Sequence, residues 1–154
     1  MSPPLRAALL NVHVILDTNV LVSRLLVRSS ANASVVQIIT AAILGKYTLL
    51  MPEEVFDELR RLRTTKEYLR NRISERDVED LVRVLGSIAV MLPRQTKPIP
   101  SVLRDPKDAF LLITAAIGDA DYLVTGDRDL LDIREHLTRP RIVAVAEFLE
   151  ILPP

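Results

Sequence analysis

At 154 residues the chain is the size of one domain with a sizeable core, and 49% hydrophobic residues exclude a disordered protein. Its 20 basic and 20 acidic residues cancel, so any nucleic-acid binding would rest on a local basic patch, not on the overall field. The absence of Cys excludes disulfides, thiolate zinc sites and cysteine nucleophiles; with only His13 and His136 besides, a bound metal would be held by oxygen, which favours Mg²⁺ or Mn²⁺ over Zn²⁺.

Leu5 to Leu16 is apolar enough to resemble a signal segment, but Arg6, Asn11 and His13 interrupt it and no small-residue cleavage site follows. No run approaches the ~20 apolar residues of a membrane span. The expectation is a cytoplasmic protein with no membrane partner. Val12 to Leu16 reads as a buried strand running into Asp17-Thr18-Asn19. Val20 to Val27 reads as a helix, followed by a polar break at Ser29, Ser30 and Asn32. Ala33 to Leu44 is a second helix, stopped by Gly45. Tyr47 to Met51 is a strand, and Pro52 opens the next helix, which runs to about Arg63. Thr64 to Arg76 is a charged segment, Asp77 to Leu85 a helix, and Ile88 to Leu92 a third strand.

Pro93 to Arg104 is the one long irregular stretch and reads as a surface loop. Asp105-Pro106 starts an apolar, buried helix to about Ile117. Tyr122 to Thr125 is a strand that empties into Gly126-Asp127-Arg128-Asp129, with a short helix near Leu130. Arg141 to Val145 is a last strand and Ala146 to Ile151 a last short helix. No repeat or boundary divides residues 1–154, which are expected to form a single domain. Strands alternating with helices predict an α/β fold, a parallel sheet covered on both faces.

In such a sheet, ligands bind outside the carboxyl ends of the strands, where the strand order reverses. Two strands that each end in Asp predict an acidic pocket there. On the helix after Pro52, Val55, Leu59 and Leu62 form the apolar stripe, and Glu58 falls within its arc. Asp108 sits in the first turn of the buried helix. Each acid has a plainer role open to it: Asp17 as a cap for the helix at Val20, Glu58 in a salt bridge to an Arg, Asp105 as N-cap with Asp108 in a capping box, Asp129 as cap of the short helix. Together, however, they would repel one another, and a divalent cation removes that cost. Four carboxylates carry about the charge that two Mg²⁺ neutralise.

These motifs resemble the PIN-domain nucleases, in particular the toxin branch that includes VapC. The matching residues are Ile15-Leu16-Asp17-Thr18-Asn19, Pro52 with Val55 and Glu58-Leu59, Asp105-Pro106-Lys107-Asp108, and Asp121 to Leu130. The resemblance implies a three-layer α/β/α sandwich with a central parallel sheet, and Mg²⁺- or Mn²⁺-dependent hydrolysis of RNA. It implies metal-binding, catalytic acids at Asp17, Glu58, Asp108 and Asp127, with Asn19, Thr125 and Asp129 in support. Glu58 is also a candidate to take the proton of the attacking water. Relatives with the Asp-Pro-x-Asp motif often carry a further Asp where this chain has Ala109, so the helix ligand is assigned to Asp108, with Asp105 capping or supporting. A cognate antitoxin and a homodimer are implied partners.

A nuclease with an acidic pocket needs basic groups around it to hold a polyanion. Basic residues crowd the segment after Glu58, from Arg60 and Arg61 to Arg76. Arg104 and Lys107 bracket Asp105, and Arg128 sits between Asp127 and Asp129. Arg60, Arg61, Arg104, Lys107 and Arg128 are the candidate RNA contacts, although Asp57 with Arg61 is also a plain i,i+4 pair. A haloacid-dehalogenase-like phosphatase is the alternative, but it needs an acid where this chain has Asn19. A receiver-like or otherwise non-catalytic binding domain is a further one.

Overall fold

The computed structural model describes residues 12–27, 33–96 and 106–153. Five strands, β1 His13–Leu16, β2 Thr48–Pro52, β3 Val90–Leu92, β4 Tyr122–Val124 and β5 Arg141–Val143, form one all-parallel sheet in the order β3-β2-β1-β4-β5. Among the described residues seven α-helices accompany them: α1 Thr18–Leu26, α2 Ser34–Ile43, α3 Glu53–Thr65, α4 Glu75–Ile88, α5 Pro106–Ile117, α6 Arg128–Asp132 and α7 Val145–Ile151.

Side chains along a strand alternate between faces, and the two cores follow that alternation. Val14, Leu16, Leu49, Met51, Val124 and Val143 join one core, which takes in Leu21 of α1, Ile38 of α2, Leu59 of α3, Leu85 of α4 and Phe148 of α7. Ile15, Leu50, Leu123 and Ile142 join the other, with Leu111 and Ala115 of α5 and Leu130 of α6. The result is the expected three-layer α/β/α sandwich. Its asymmetry follows from right-handed crossovers. The chain steps outward from β1 to β2 to β3 with its helices on one face. It then returns past β1 to β4, which places α5 and α6 on the opposite face.

Local chemistry sets several boundaries. Gly45 adopts φ 73°, its N–H donates to the Ala42 carbonyl at 3.0 Å, and the Lys46 N–H donates to Ala41 at 2.9 Å. This paired closure of α2 needs a left-handed residue at Gly45. Pro52 does not open α3 as expected: it is still strand, in register with Leu92 of β3, and α3 begins at Glu53. The charged segment after α3 is not featureless. Glu67–Leu69 make a 3₁₀ turn that buries Leu69, and Ser74 with Asp77 forms a capping box that starts α4 two residues earlier than expected. Among the described residues, helix α5 is buried on one side only, because it shares its sheet face with little besides α6. Asp108, Leu111 and Ala115 are inside, whereas Ile117 is exposed. The polar break after α1 and most of the Pro-rich loop before α5 lie outside the described residues.

Leu59 is fully buried between α3 and the sheet. Leu59→Ala should cost about 2–5 kcal/mol through lost burial and a residual cavity, read as a lower denaturant midpoint with an unchanged slope.

Candidate metal centre

The strand order reverses at β1, which has β2 on one side and β4 on the other. A crevice opens at such a point beyond the carboxyl ends of the strands. Asp17 is the first residue past β1, and Thr125, Gly126 and Asp127 follow β4. The Asp17 N–H donates to the Val124 carbonyl at 2.9 Å, tying the two strand ends together.

Around that tie the side chains form a closed set of bonds. The Thr125 hydroxyl donates to Asp17 Oδ2 at 2.7 Å, and Asn19 Nδ2 donates to the same oxygen at 3.2 Å. Thr125 Oγ1 accepts the Asp127 N–H at 2.9 Å, and Asn19 Oδ1 accepts the Gly126 N–H at 3.2 Å. Asp17 stands at the N-cap position of α1, yet its side chain makes no cap bond. The capping role open to it from sequence is therefore not the one its carboxylate fills.

Asp17 is buried, at 8% exposure. Burial pushes its carboxyl pKa above the ordinary value. The hydroxyl of Thr125 and the backbone of Thr18 pull it back, while the charges of Glu58 and Asp127 push it further up. The site thus holds an acid at an electrostatic cost that a cation would relieve.

Asp108, Asp127 and Asp129 each offer one carboxylate oxygen, all within 4.8 Å of one another. Asp108 is buried in the first turn of α5, Asp127 half-buried and Asp129 exposed. Asp127 also caps α6: its Oδ1 accepts the Asp129 N–H at 2.9 Å. Capping and metal binding do not exclude each other here, because a carboxylate has a second oxygen. The cap role expected for Asp129 falls to Asp127. Glu58 is half-buried on α3. Its Oε2 accepts the Thr18 hydroxyl at 2.8 Å and its Oε1 pairs with Lys107 of α5, a lysine where sequence reasoning had considered an arginine.

All four expected acids therefore converge on one sheet edge, with Asp17 coupled to Glu58 and Asp127. The tightest oxygen cluster, however, draws in Asp129, which the sequence had placed only in support. The donor set is all carboxylate oxygen, the chemistry of a hard divalent cation. Ala109 is buried beside Asp108 in α5. Asp105 and Arg104 lie outside the described residues.

The candidate RNA contacts are spread more widely. Arg60 pairs with Glu79 of α4 at 2.9 Å. Arg61 is exposed, and so is Arg128 at the start of α6. Asp57 takes Arg94 as its partner, and that hydrogen-bonded ion pair holds its carboxyl below the usual range. Arg94 also pairs with Glu53 at 3.0 Å, while the Gln95 N–H donates to Glu54 at 2.9 Å. These contacts dock the segment after β3 onto the start of α3.

A family model for the PIN domain matches residues 13–129, which contain all four expected acids and Asp129. The chain belongs to the PIN-domain family, a class of nucleases that act on nucleic acids and generally use divalent metals. No curated protein matches it at the level of a relative. Among the described residues no helix is long and apolar enough to cross a membrane.

Because the folded-state pKa of Asp17 is raised, its ionised form costs stability above that pKa, and the cost disappears below the unfolded value of 3.8. Asp17→Asn should raise the Tm of metal-free protein at pH 7. The gain should shrink as the pH falls and vanish below 3.8. Thermal melts in chelator across the acid range check this; a variant less stable at neutral pH would contradict it.

Proposed function

We propose that the chain is a Mg²⁺- or Mn²⁺-dependent endoribonuclease, the toxin component of a type II toxin-antitoxin pair. In this reading it acts in the cytoplasm as a homodimer restrained by an antitoxin protein. The observation that carries the catalytic part is the carboxylate cluster at the strand reversal, where Asp108, Asp127 and Asp129 each offer an oxygen within 4.8 Å of the others, beside buried Asp17.

Asp17, Glu58, Asp108 and Asp127 would hold the metal, with Asn19, Asp105, Thr125 and Asp129 supporting them. A divalent cation bound there supplies charge neutralisation, an activated water and stabilisation of the leaving oxygen. The chain's own contribution is order. Thr125 and Asn19 fix the Asp17 carboxylate before any ligand arrives, and the Asp127 cap fixes the turn that presents Asp129. Arg61 and Arg128, both exposed, would contact phosphate, and Arg60, Arg104 and Lys107 complete the candidate contacts. The toxin assignment is supported by the order of the four motifs from Ile15 to Leu130. Asn19 weighs against the phosphatase alternative: it ties Asp17 to the Gly126 backbone at the position where that chemistry requires a second acid.

The purified protein should cleave single-stranded RNA with Mg²⁺ or Mn²⁺ and not in chelator. Asp17→Asn should remove the activity. Mn²⁺ should stabilise the fold by binding linkage, by about 2.7 kcal/mol at a hundredfold excess over Kd, read as a higher Tm, and Asp108→Asn should blunt that rise. Equal cleavage in chelator would sink the reading.

A further inference from the structure

Lys107 and Glu58 meet across the edge of the sheet. Glu58 belongs to α3 on one face and Lys107 to α5 on the other, so their ion pair arches over the carboxyl end of the sheet, where the acids gather. Both Glu58 oxygens are engaged, Oε2 by the Thr18 hydroxyl at 2.8 Å and Oε1 by the Lys107 ammonium. The two partners differ in what they tolerate. A hydroxyl is neutral, keeps lone pairs and sits on Thr18, which is buried in the first turn of α1. An ammonium has no lone pair and repels a second cation. Its four-carbon stem is flexible, and the Lys107 side chain is 66% exposed against 32% for Glu58.

A divalent cation drawing on Glu58 therefore competes with Lys107 and not with Thr18. We propose, resting on the metal reading above, that Lys107 is an exchangeable counter-ion. It holds Glu58 in the metal-free protein, gives way when a divalent cation takes the carboxylate, and then contacts a phosphate of the single-stranded RNA at the rim of the pocket. Its position serves both states. It directly precedes Asp108, so the released ammonium stays tethered one residue from the acidic cluster. A compact, strongly hydrated point charge suits a phosphate that passes through rather than one that is clamped.

The test is Mn²⁺ titration calorimetry without RNA, on the full chain and on Lys107→Met, Glu58→Gln and the double variant. Lys107→Met should tighten Mn²⁺ binding about twofold to fivefold, the scale of a half-exposed ion pair. In the Glu58→Gln background the same change should lose most of that gain, because the pair is already broken. Unchanged or weaker Mn²⁺ binding in Lys107→Met would overturn the exchange. So would an equal gain in both backgrounds, the mark of general repulsion. For the second step, binding of a phosphorothioate single-stranded RNA in Mn²⁺ should weaken in Lys107→Met, with a salt slope smaller by about 0.7. An unchanged slope would overturn the phosphate contact. A wild-type protein that binds no Mn²⁺ would instead remove the metal reading itself, which separates the two failures.

Discussion

The carboxyl edge of this fold depends on the pairing of β1 with β4. These strands are far apart in sequence, and their register sets Leu16 beside Val124. The next residues, Asp17 and Thr125, then meet in a buried hydrogen bond. Move the register by one residue and the alternation of both cores fails, since every side chain changes face. The packing of Val14 and Leu16 on one side and Ile15 on the other therefore also fixes the position of the acid. Hydrophobic burial sets the geometry of a polar site that it does not touch.

That geometry carries a cost. Asp17 is desolvated and faces the charges of Glu58 and Asp127. Part of the cost is offset locally, by the Thr125 hydroxyl and the Thr18 backbone. The rest counts against the metal-free fold and is carried by a core that runs along both faces of five strands. A desolvated acid facing like charges is a site whose cost a bound cation would relieve.

What was legible in the sequence was whatever depends on local pattern. Apolar runs located the strands, Gly45 ended α2, and the alternation of elements gave a parallel sheet with two covered faces. Asp17, Asp108 and Asp127 stood out because each sits where a strand ends or a helix begins. What was missed depends on contacts across the fold. Pro52 reads as a helix opener until β3 pairs with it. The partner of Asp57 is Arg94, not Arg61 one turn along, because the segment after β3 folds back onto α3. Asp129 was expected only in support or as a cap, since a linear reading does not show how closely its carboxylate approaches those of Asp108 and Asp127. The Glu58–Lys107 pair, 49 residues apart, was beyond any helical spacing rule. The apolar run of α5 suggested a helix buried all round. Only the topology shows that, among the described residues, little besides α6 shares its sheet face.

The uneven layering bears on the chemistry. One face carries α1 to α4 and α7 and holds Glu58 firmly through α3, whose Val55, Leu59 and Leu62 are buried. The other carries α5 and α6, which bring Asp108, Asp127 and Asp129. The acids therefore come from two layers. Among the described residues, the groups that join these layers above the sheet include the Asp17 backbone tie to Val124, the Thr125 hydroxyl, the Asn19 amide on the Gly126 N–H and the Lys107 ammonium. The first three are short and uncharged. The last is long, exposed and charged, and of these it alone has the sign of the cation the site would take. A pocket assembled in this way changes its electrostatics with little movement of the backbone, because a single flexible side chain carries the exchange.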